Sequence, residues 1–391
     1  MIENRDVICF CNDWGGDPLS KTQIVGRLAK KNRILWVNST GIRNPTVSAH
    51  DVGRAWKKVR QAFRGCRAVS DNIWVYSPLV IPFHGNQTAR WINSRWLSSA
   101  LRQECRKLGF RHPVTLTFVP SSAAVAGSLG ESRLIYYCVD EYSQFSGADR
   151  EAILAMERDL MRRSHLVIVS ASRLYETKHA YNPNTFLITH GVDVDHFRKA
   201  CLPDTEIPAD CPKSRPVIGF FGLVEDWVDL GVIRYLAQAR PQWSFPVIGE
   251  IRTDIPEFAS FPNVRFFGRR EYQSLPGYCK GFDVALLPFV MNELTIAANP
   301  LKLREYLAAG LPVVATPIPE VKKLGNLVRL AQTQEEYLEQ IETVLSRREN
   351  GPRMAISRLM DEESWDSKVE ELSSRFLALG EHRRAAVSQV A

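Results

Sequence analysis

The stretch Asn299-Pro300-Leu301-Lys302-Leu303-Arg304-Glu305-Tyr306-Leu307-Ala308-Ala309-Gly310-Leu311-Pro312-Val313-Val314-Ala315-Thr316 describes a short helix with both ends marked, running into a β-branched strand. Asn299 is of the residue type that caps helix N-termini, Pro300 suits the first helical position, and Gly310 with Pro312 stops the helix before Val313. The free N–H groups at a helix start and the positive end of its dipole form an anion site, to which Lys302 adds a full charge suited to a diphosphate. Glu305 lies one turn deeper on the same face, where a carboxylate can accept both hydroxyl hydrogens of a ribose. Phosphate at the mouth with ribose beyond it is a nucleotide layout. The alternative for Lys and Glu at this spacing is a surface ion pair.

Working outward, Val217–Phe221, Phe245–Ile248, Val264–Phe267, Val284–Pro288 and Val313–Ala315 form β-rich runs, with helices expected at 229–239 and 300–309. Further upstream, Val7–Phe10, Ile34–Val37, Ile73–Ser77, Val114–Phe118, Leu134–Val139, Leu166–Ser170 and Thr185–Thr189 alternate with helices at 21–31 and 149–163. Strands and helices alternating at these lengths predict parallel, doubly wound α/β sheets, here two in succession. Between them, residues 198–216 carry Pro203, Pro208, Pro212 and Pro216 with little apolar periodicity, and are expected to be an interdomain linker. The stretch 333–379 is helical and amphipathic, with Trp365 its largest apolar side chain.

A chain of 391 residues suits two domains, each able to bury its own core. With 45% hydrophobic and 24% charged residues and no repeat or low-complexity tract, a folded chain is expected. The N-terminus enters a strand without the pattern of a secretory leader, and no apolar run reaches the ~18 residues of a membrane span, so a cytoplasmic location is expected. The eight cysteines show no zinc-knuckle spacing and are expected to be free thiols. The net charge of +7 is uneven: Arg54, Lys57, Lys58, Arg60, Arg64 and Arg67 interleave with Trp56, Val59 and Phe63. A basic helix over 54–67 could lie on an anionic membrane surface, at the inner face of the plasma membrane, or could be an ordinary packed helix with a solvated face. No nucleic-acid module surrounds these charges, so nucleic acid is not an expected partner.

Two further motifs join the first. Thr189-His190-Gly191-Val192-Asp193 precedes Phe197, and Ile218-Gly219-Phe220-Phe221-Gly222 leads into a turn through Trp227, where Gly222 lets the backbone approach a ligand. In order, these and Pro300-Leu301-Lys302-x-x-Glu305-Tyr306 resemble the signatures of bacterial GT-B glycosyltransferases over residues 185–320, and more narrowly exopolysaccharide enzymes such as the xanthan glucuronosyltransferase. The resemblance implies two Rossmann-like domains facing across a cleft: an acceptor-binding domain over 1–198, a nucleotide-sugar-binding domain over 199–360, and a helix over 361–391 returning to the first. It implies donor contacts from Gly222, Trp227, Lys302, Glu305, Asn299 and His190, although His190 could instead support its turn.

The chain also departs from that pattern. Many retaining GT-B enzymes pair two glutamates eight positions apart, but Ala297 stands at the upstream position. Residues 222–231 hold neither Arg nor Lys, which leaves Lys302 as the main charge for the departing diphosphate and favours an inverting route. Inversion needs a carboxylate to deprotonate the acceptor. Asp140, just past Leu134–Val139, fits best and matches the aspartate that serves as base in the xanthan-type enzymes; Asp13, after the first strand, is the second candidate. Trp14, Gly15 and Asp17 have the mixture of an acceptor loop. Asp193-Val194-Asp195 has the form of a metal-binding DxD, but in its place after His190-Gly191-Val192 it is expected to form a turn, so no metal or other cofactor is expected. The expected partners are a nucleotide-sugar donor and a glycan or lipid-linked acceptor. The alternatives are a nucleotide-sugar epimerase of the same fold, or a non-catalytic nucleotide-sugar binder.

Overall fold

The computed structural model describes residues 1–38, 65–78 and 87–388. The chain forms two compact units, one of Met1–Thr189 with Val369–Ala391 and one of His190–Lys368.

The first unit is built on β1 (Asp6–Phe10), β2 (Arg33–Val37), β3 (Arg67–Ser70), β4 (Ile73–Tyr76), β5 (Val114–Thr117), β6 (Arg133–Cys138), β7 (Leu166–Val169) and β8 (Thr185–Leu187), in the order β3-β4-β2-β1-β5-β6-β7-β8. All neighbours run parallel except β3 and β4. Val7 to Phe10, Val114 to Thr117 and Leu166 to Val169 are buried without a break, as expected of strands covered on both faces. β1 has β2 on one side and β5 on the other, so the winding direction reverses there. Open α/β sheets hold ligands beyond the carboxyl ends of the strands at such a reversal.

The second unit repeats the plan with β9 (Ile218–Phe221), β10 (Phe245–Ile248), β11 (Val264–Gly268), β12 (Val284–Leu287), β13 (Val313–Ala315) and β14 (Val328–Leu330), ordered β11-β10-β9-β12-β13-β14 and parallel throughout. Its reversal lies between β9 and β12. Gly219 in β9 gives the Phe282 ring room, since a Cβ there would sit 2.2 Å from it.

Two expectations about organisation are corrected. The units divide at Thr189/His190 and Lys368/Val369 instead of 198/199 and 360/361. Phe197 explains the first shift: it is fully buried in the second unit's core, its ring stacked 6.0 Å from Phe221. Residues 198–216 are not an interdomain linker but lie within the second unit. There Cys211 is core, Asp210 pairs with Arg270 at 2.9 Å, and Lys280 Nζ donates to the carbonyls of Leu202 and Pro203 at 2.6 and 2.7 Å. Trp365 opens the helix Trp365–Ser388 inside the second unit, and the first unit takes up the chain from Val369. The strands β3 and β14 and the helix Gln87–Lys107 are additions to the elements expected from sequence.

Candidate functional site

In the second unit the helix Leu301–Ala308 starts beside the reversal between β9 and β12. Its N-terminus carries no side-chain cap. Lys302, in the first turn, lies across the loop after β9: a Cβ on Gly222 would fall 1.6 Å from Lys302 Cε and 2.4 Å from Nζ. Gly222 also holds φ +136°, which L side chains rarely adopt, and a side chain there would push the Lys302 ammonium aside. The next strand matches it, since a Cβ on Gly249, at φ +142°, would fall 1.9 Å from the Gly222 carbonyl oxygen.

The Lys302 ammonium sits over the rings of Phe220 (5.4 Å) and Phe289 (5.6 Å), at the ends of the two strands that flank the reversal. Burial lowers its pKa from 10.5 to about 8, while the negative charge of Glu305 pulls the other way. A half-buried cation over aromatic faces, with a carboxylate one turn deeper, is arranged to receive an anion.

Tyr306 makes this geometry rigid. Its hydroxyl accepts from Phe221 N at 2.8 Å and donates to Phe221 O at 3.3 Å, which pins the last residue of β9 immediately before Gly222. Thr316 does the same for β12, where its Oγ1 accepts from Phe289 N at 2.9 Å and donates to Phe289 O at 2.8 Å. Neither was singled out from sequence; the signal available for Tyr306 was its place in the buried stripe with Leu303 and Leu307.

Other donor-side candidates have different surroundings. Asn299 does not cap the helix: Pro300 holds the N-cap position, and the buried Asn299 Oδ1 accepts a short hydrogen bond from Arg304 Nη1. Arg304 in turn reaches Glu363 at 3.3 Å, whose backbone oxygen receives Val192 N at 2.9 Å. Asn299 and the His190-Gly191 turn therefore share a structural network. His190 is buried with its ring 5.9 Å from Trp365, and a Cβ on Gly191 would sit 2.8 Å from Trp365 N. Trp227 packs against the core, and its carbonyl accepts from Val290 N at 2.9 Å. Asp193 caps the helix Val194–Arg198 through His196 N at 3.3 Å, while the Asp195 side chain is exposed.

The reversal in the first unit carries a second constellation. Asp140 follows β6, and its carboxyl pKa is raised by burial, with Lys21 acting to lower it and Glu141 to raise it. Lys21 is buried on the helix Ser20–Ala29, and its Nζ donates to Asn12 Oδ1 at 2.9 Å and lies 5.6 Å from the Tyr142 ring centroid. Burial lowers the Lys21 pKa, and the charge of Asp140 opposes that shift. Tyr142 donates to Phe118 O at 2.6 Å, tying the Asp140 turn to the end of β5. Below, Lys178 bridges Glu157 (2.7 Å) and Glu141 (2.9 Å), with Tyr136 donating to Glu157 at 2.6 Å. The sequence did carry a sign of Lys21: with Ile24, Val25 and Leu28 it occupies the buried stripe of its helix, where lysine is out of place.

Beyond β1, Asp13, Gly15 and Asp17 are exposed, and Gly15 takes φ +91° in open space. Trp14 is half-buried, its ring edge-on to Trp36 at 4.9 Å and its amide donating to Asn38 Oδ1 at 2.9 Å. The structure brings Asp140 together with Lys21, which had not been expected, and leaves Asp13 on the surface. The basic segment 54–67 lies outside the described residues up to 64, and Arg67 begins β3. Among the described residues, no helix is long and apolar enough to cross a membrane. All eight cysteines are free thiols.

Two largely parallel sheets, each wound both ways from a central reversal, define the two-domain GT-B architecture. Sucrose-phosphate synthase from Thermosynechococcus elongatus shares it, with a TM-score of 0.64 and 16% identity, covering 99% of this chain and 100% of the other. The Anabaena protein HepE, solved in complex with UDP and glucose, matches with a TM-score of 0.64 at 14% identity over 95% of this chain and 99% of the other. More narrowly, residues 215–347 match the model of the family described as glycosyl transferases group 1, a segment that contains Gly222, Lys302 and Glu305. A protein of Bacillus subtilis (strain 168) named as a teichuronic acid biosynthesis glycosyltransferase, TuaH, is 27% identical over 209 residues, 49% of this chain and 52% of that protein. The match thus spans about half the length of that relative.

Proposed function

We propose that this protein is a glycosyltransferase that moves a sugar from a nucleoside diphosphate sugar to a glycan or lipid-linked saccharide in bacterial polysaccharide biosynthesis. One observation carries this reading: Lys302 lies at the reversal of the second sheet, over Gly222 and beside Glu305, inside the segment that matches glycosyl transferases group 1. The named role of the Bacillus relative supports the polysaccharide setting, and the UDP held by HepE supports a nucleoside diphosphate.

In the proposed reaction the Asp140 carboxylate takes the proton of an acceptor hydroxyl, whose oxygen attacks the anomeric carbon as the bond to the diphosphate breaks. The electron pair leaves on the diphosphate, and Lys302 with the uncapped N–H groups of its helix meets the charge. Attack from the opposite face inverts the anomeric centre. Ala297, buried where a retaining enzyme carries a glutamate, supports this route. The proposed reaction uses no metal; Asp193 is engaged in capping its helix.

The deciding measurement is a thermal-shift panel of UDP, GDP, ADP, CMP and dTDP. Selective binding to the folded state raises the apparent unfolding temperature. One nucleoside diphosphate is expected to raise it, with the shift lost in Lys302→Met. If no nucleoside diphosphate stabilises the protein, the donor reading fails. No observation favours the epimerase or the non-catalytic binder.

A further inference from the structure

The helix Gln87–Lys107 packs on the first unit through Asn93, Leu97, Ser98, Leu101 and Cys105, which are buried. At 100° per residue these fall within one arc of the helix, and the opposite arc faces solvent. That outer arc carries Trp91, 60% exposed, Trp96, 61% exposed, and Ile92, 42% exposed. Two tryptophans so bare on one helix are unusual for a protein surface, because indole belongs either in a core or where an apolar and a wet phase meet.

The charges sharing that arc have one sign. Arg95, Arg102, Arg106 and Lys107 are exposed on it, and the Arg95 guanidinium lies 5.1 Å from the centroid of the Trp91 ring. The helix's one acid, Glu104, is half-buried away from this arc and is paired with Lys107 at 2.6 Å.

We propose that this face docks the protein on an anionic lipid bilayer. Trp91, Ile92 and Trp96 enter the headgroup boundary, while Arg95 and Arg106 reach lipid phosphates. Charge complementarity selects this occupant: indole and guanidinium without an acid suit a negatively charged interface. The inference stands apart from the donor site and does not depend on the proposed reaction.

The experiment is flotation of the full chain with vesicles of phosphatidylcholine alone and of equimolar phosphatidylcholine and phosphatidylglycerol. Binding to the anionic vesicles, weakened by added salt, is expected, with little binding to the neutral ones. The variant Trp91→Ala/Trp96→Ala should lose about tenfold or more of the partitioning, and Arg95→Glu/Arg106→Glu a similar amount. Both should unfold at the wild-type temperature, since the substituted side chains are exposed. Absence of binding by the wild type, or full binding by both variants, overturns the proposal. Concentration-dependent self-association abolished by the tryptophan variant overturns it too, because the face would then belong to a second copy of the chain.

Discussion

The reversal points of the two sheets use the same device with opposite settings. Each places a buried or half-buried lysine in the first turn of a helix, and each lysine has its pKa lowered by burial. Lys21 gives its ammonium to Asn12 and faces the carboxyl of Asp140, so its charge is used within the protein. Lys302 rests over two aromatic rings with its counter-charge one turn away. A cation that is already satisfied can tune a neighbouring acid. A cation held over ring faces is available to an incoming anion.

Substitution at Lys302 should break this contrast most severely. Lys302→Met is expected to cut turnover by roughly a hundredfold to a thousandfold, the scale of losing one preorganised charge on a leaving group. Stability should move the other way. The folded-state pKa is depressed to about 8 from 10.5, so the unfolded chain binds more protons between those values and the wild type gains stability as pH rises through that window. Below it, the buried charge costs stability. The methionine variant should therefore melt at the same or a higher temperature at pH 7 and lack the alkaline gain, as calorimetry across pH would show. A clear loss of stability would make Lys302 a structural residue.

Asp140→Asn comes next. Turnover should fall about a hundredfold or more while the nucleotide-induced thermal shift is unchanged, because the proposed base lies in the first unit and the proposed donor residues in the second. Retained turnover would move the base to Asp13 or favour a retaining route.

The smallest effect is expected at Lys21, and it sharpens the comparison. Its charge pulls the Asp140 pKa down against burial, while Glu141 pushes it up. Lys21→Met should therefore raise the pKa of the base and move the acid limb of the kcat/KM profile to higher pH, leaving the alkaline plateau largely intact. An unmoved acid limb would show that Lys21 serves packing alone.

Much of the fold was legible because buried parallel strands are continuous apolar runs, as Val7–Phe10 and Val284–Leu287 show. Lys302 and Glu305 were legible because helix spacing fixes which residues share a face. Asn299 was misplaced for a specific reason: its amide suits a cap, but Arg304, five residues on, takes the same oxygen. Prolines between 203 and 216 signal irregular backbone and say nothing about whether it spans two domains or lies along one. The influence of Lys21 on Asp140 was hidden for lack of any local pattern, since it is made by strand order and links residues 119 positions apart.

The contact between Gly222 and Gly249 has a consequence for how this sequence can vary. The carbonyl of one fills the space a side chain on the other would need, and the first glycine also lies under Lys302. A replacement at Gly249 therefore meets backbone, which cannot swing aside as a side chain can, and one at Gly222 must adopt its positive φ and displace the Lys302 ammonium. Diversification by drift or in a mutant library should leave both glycines untouched while the residues around them change, so among distant relatives this pair would persist as a landmark of the loop.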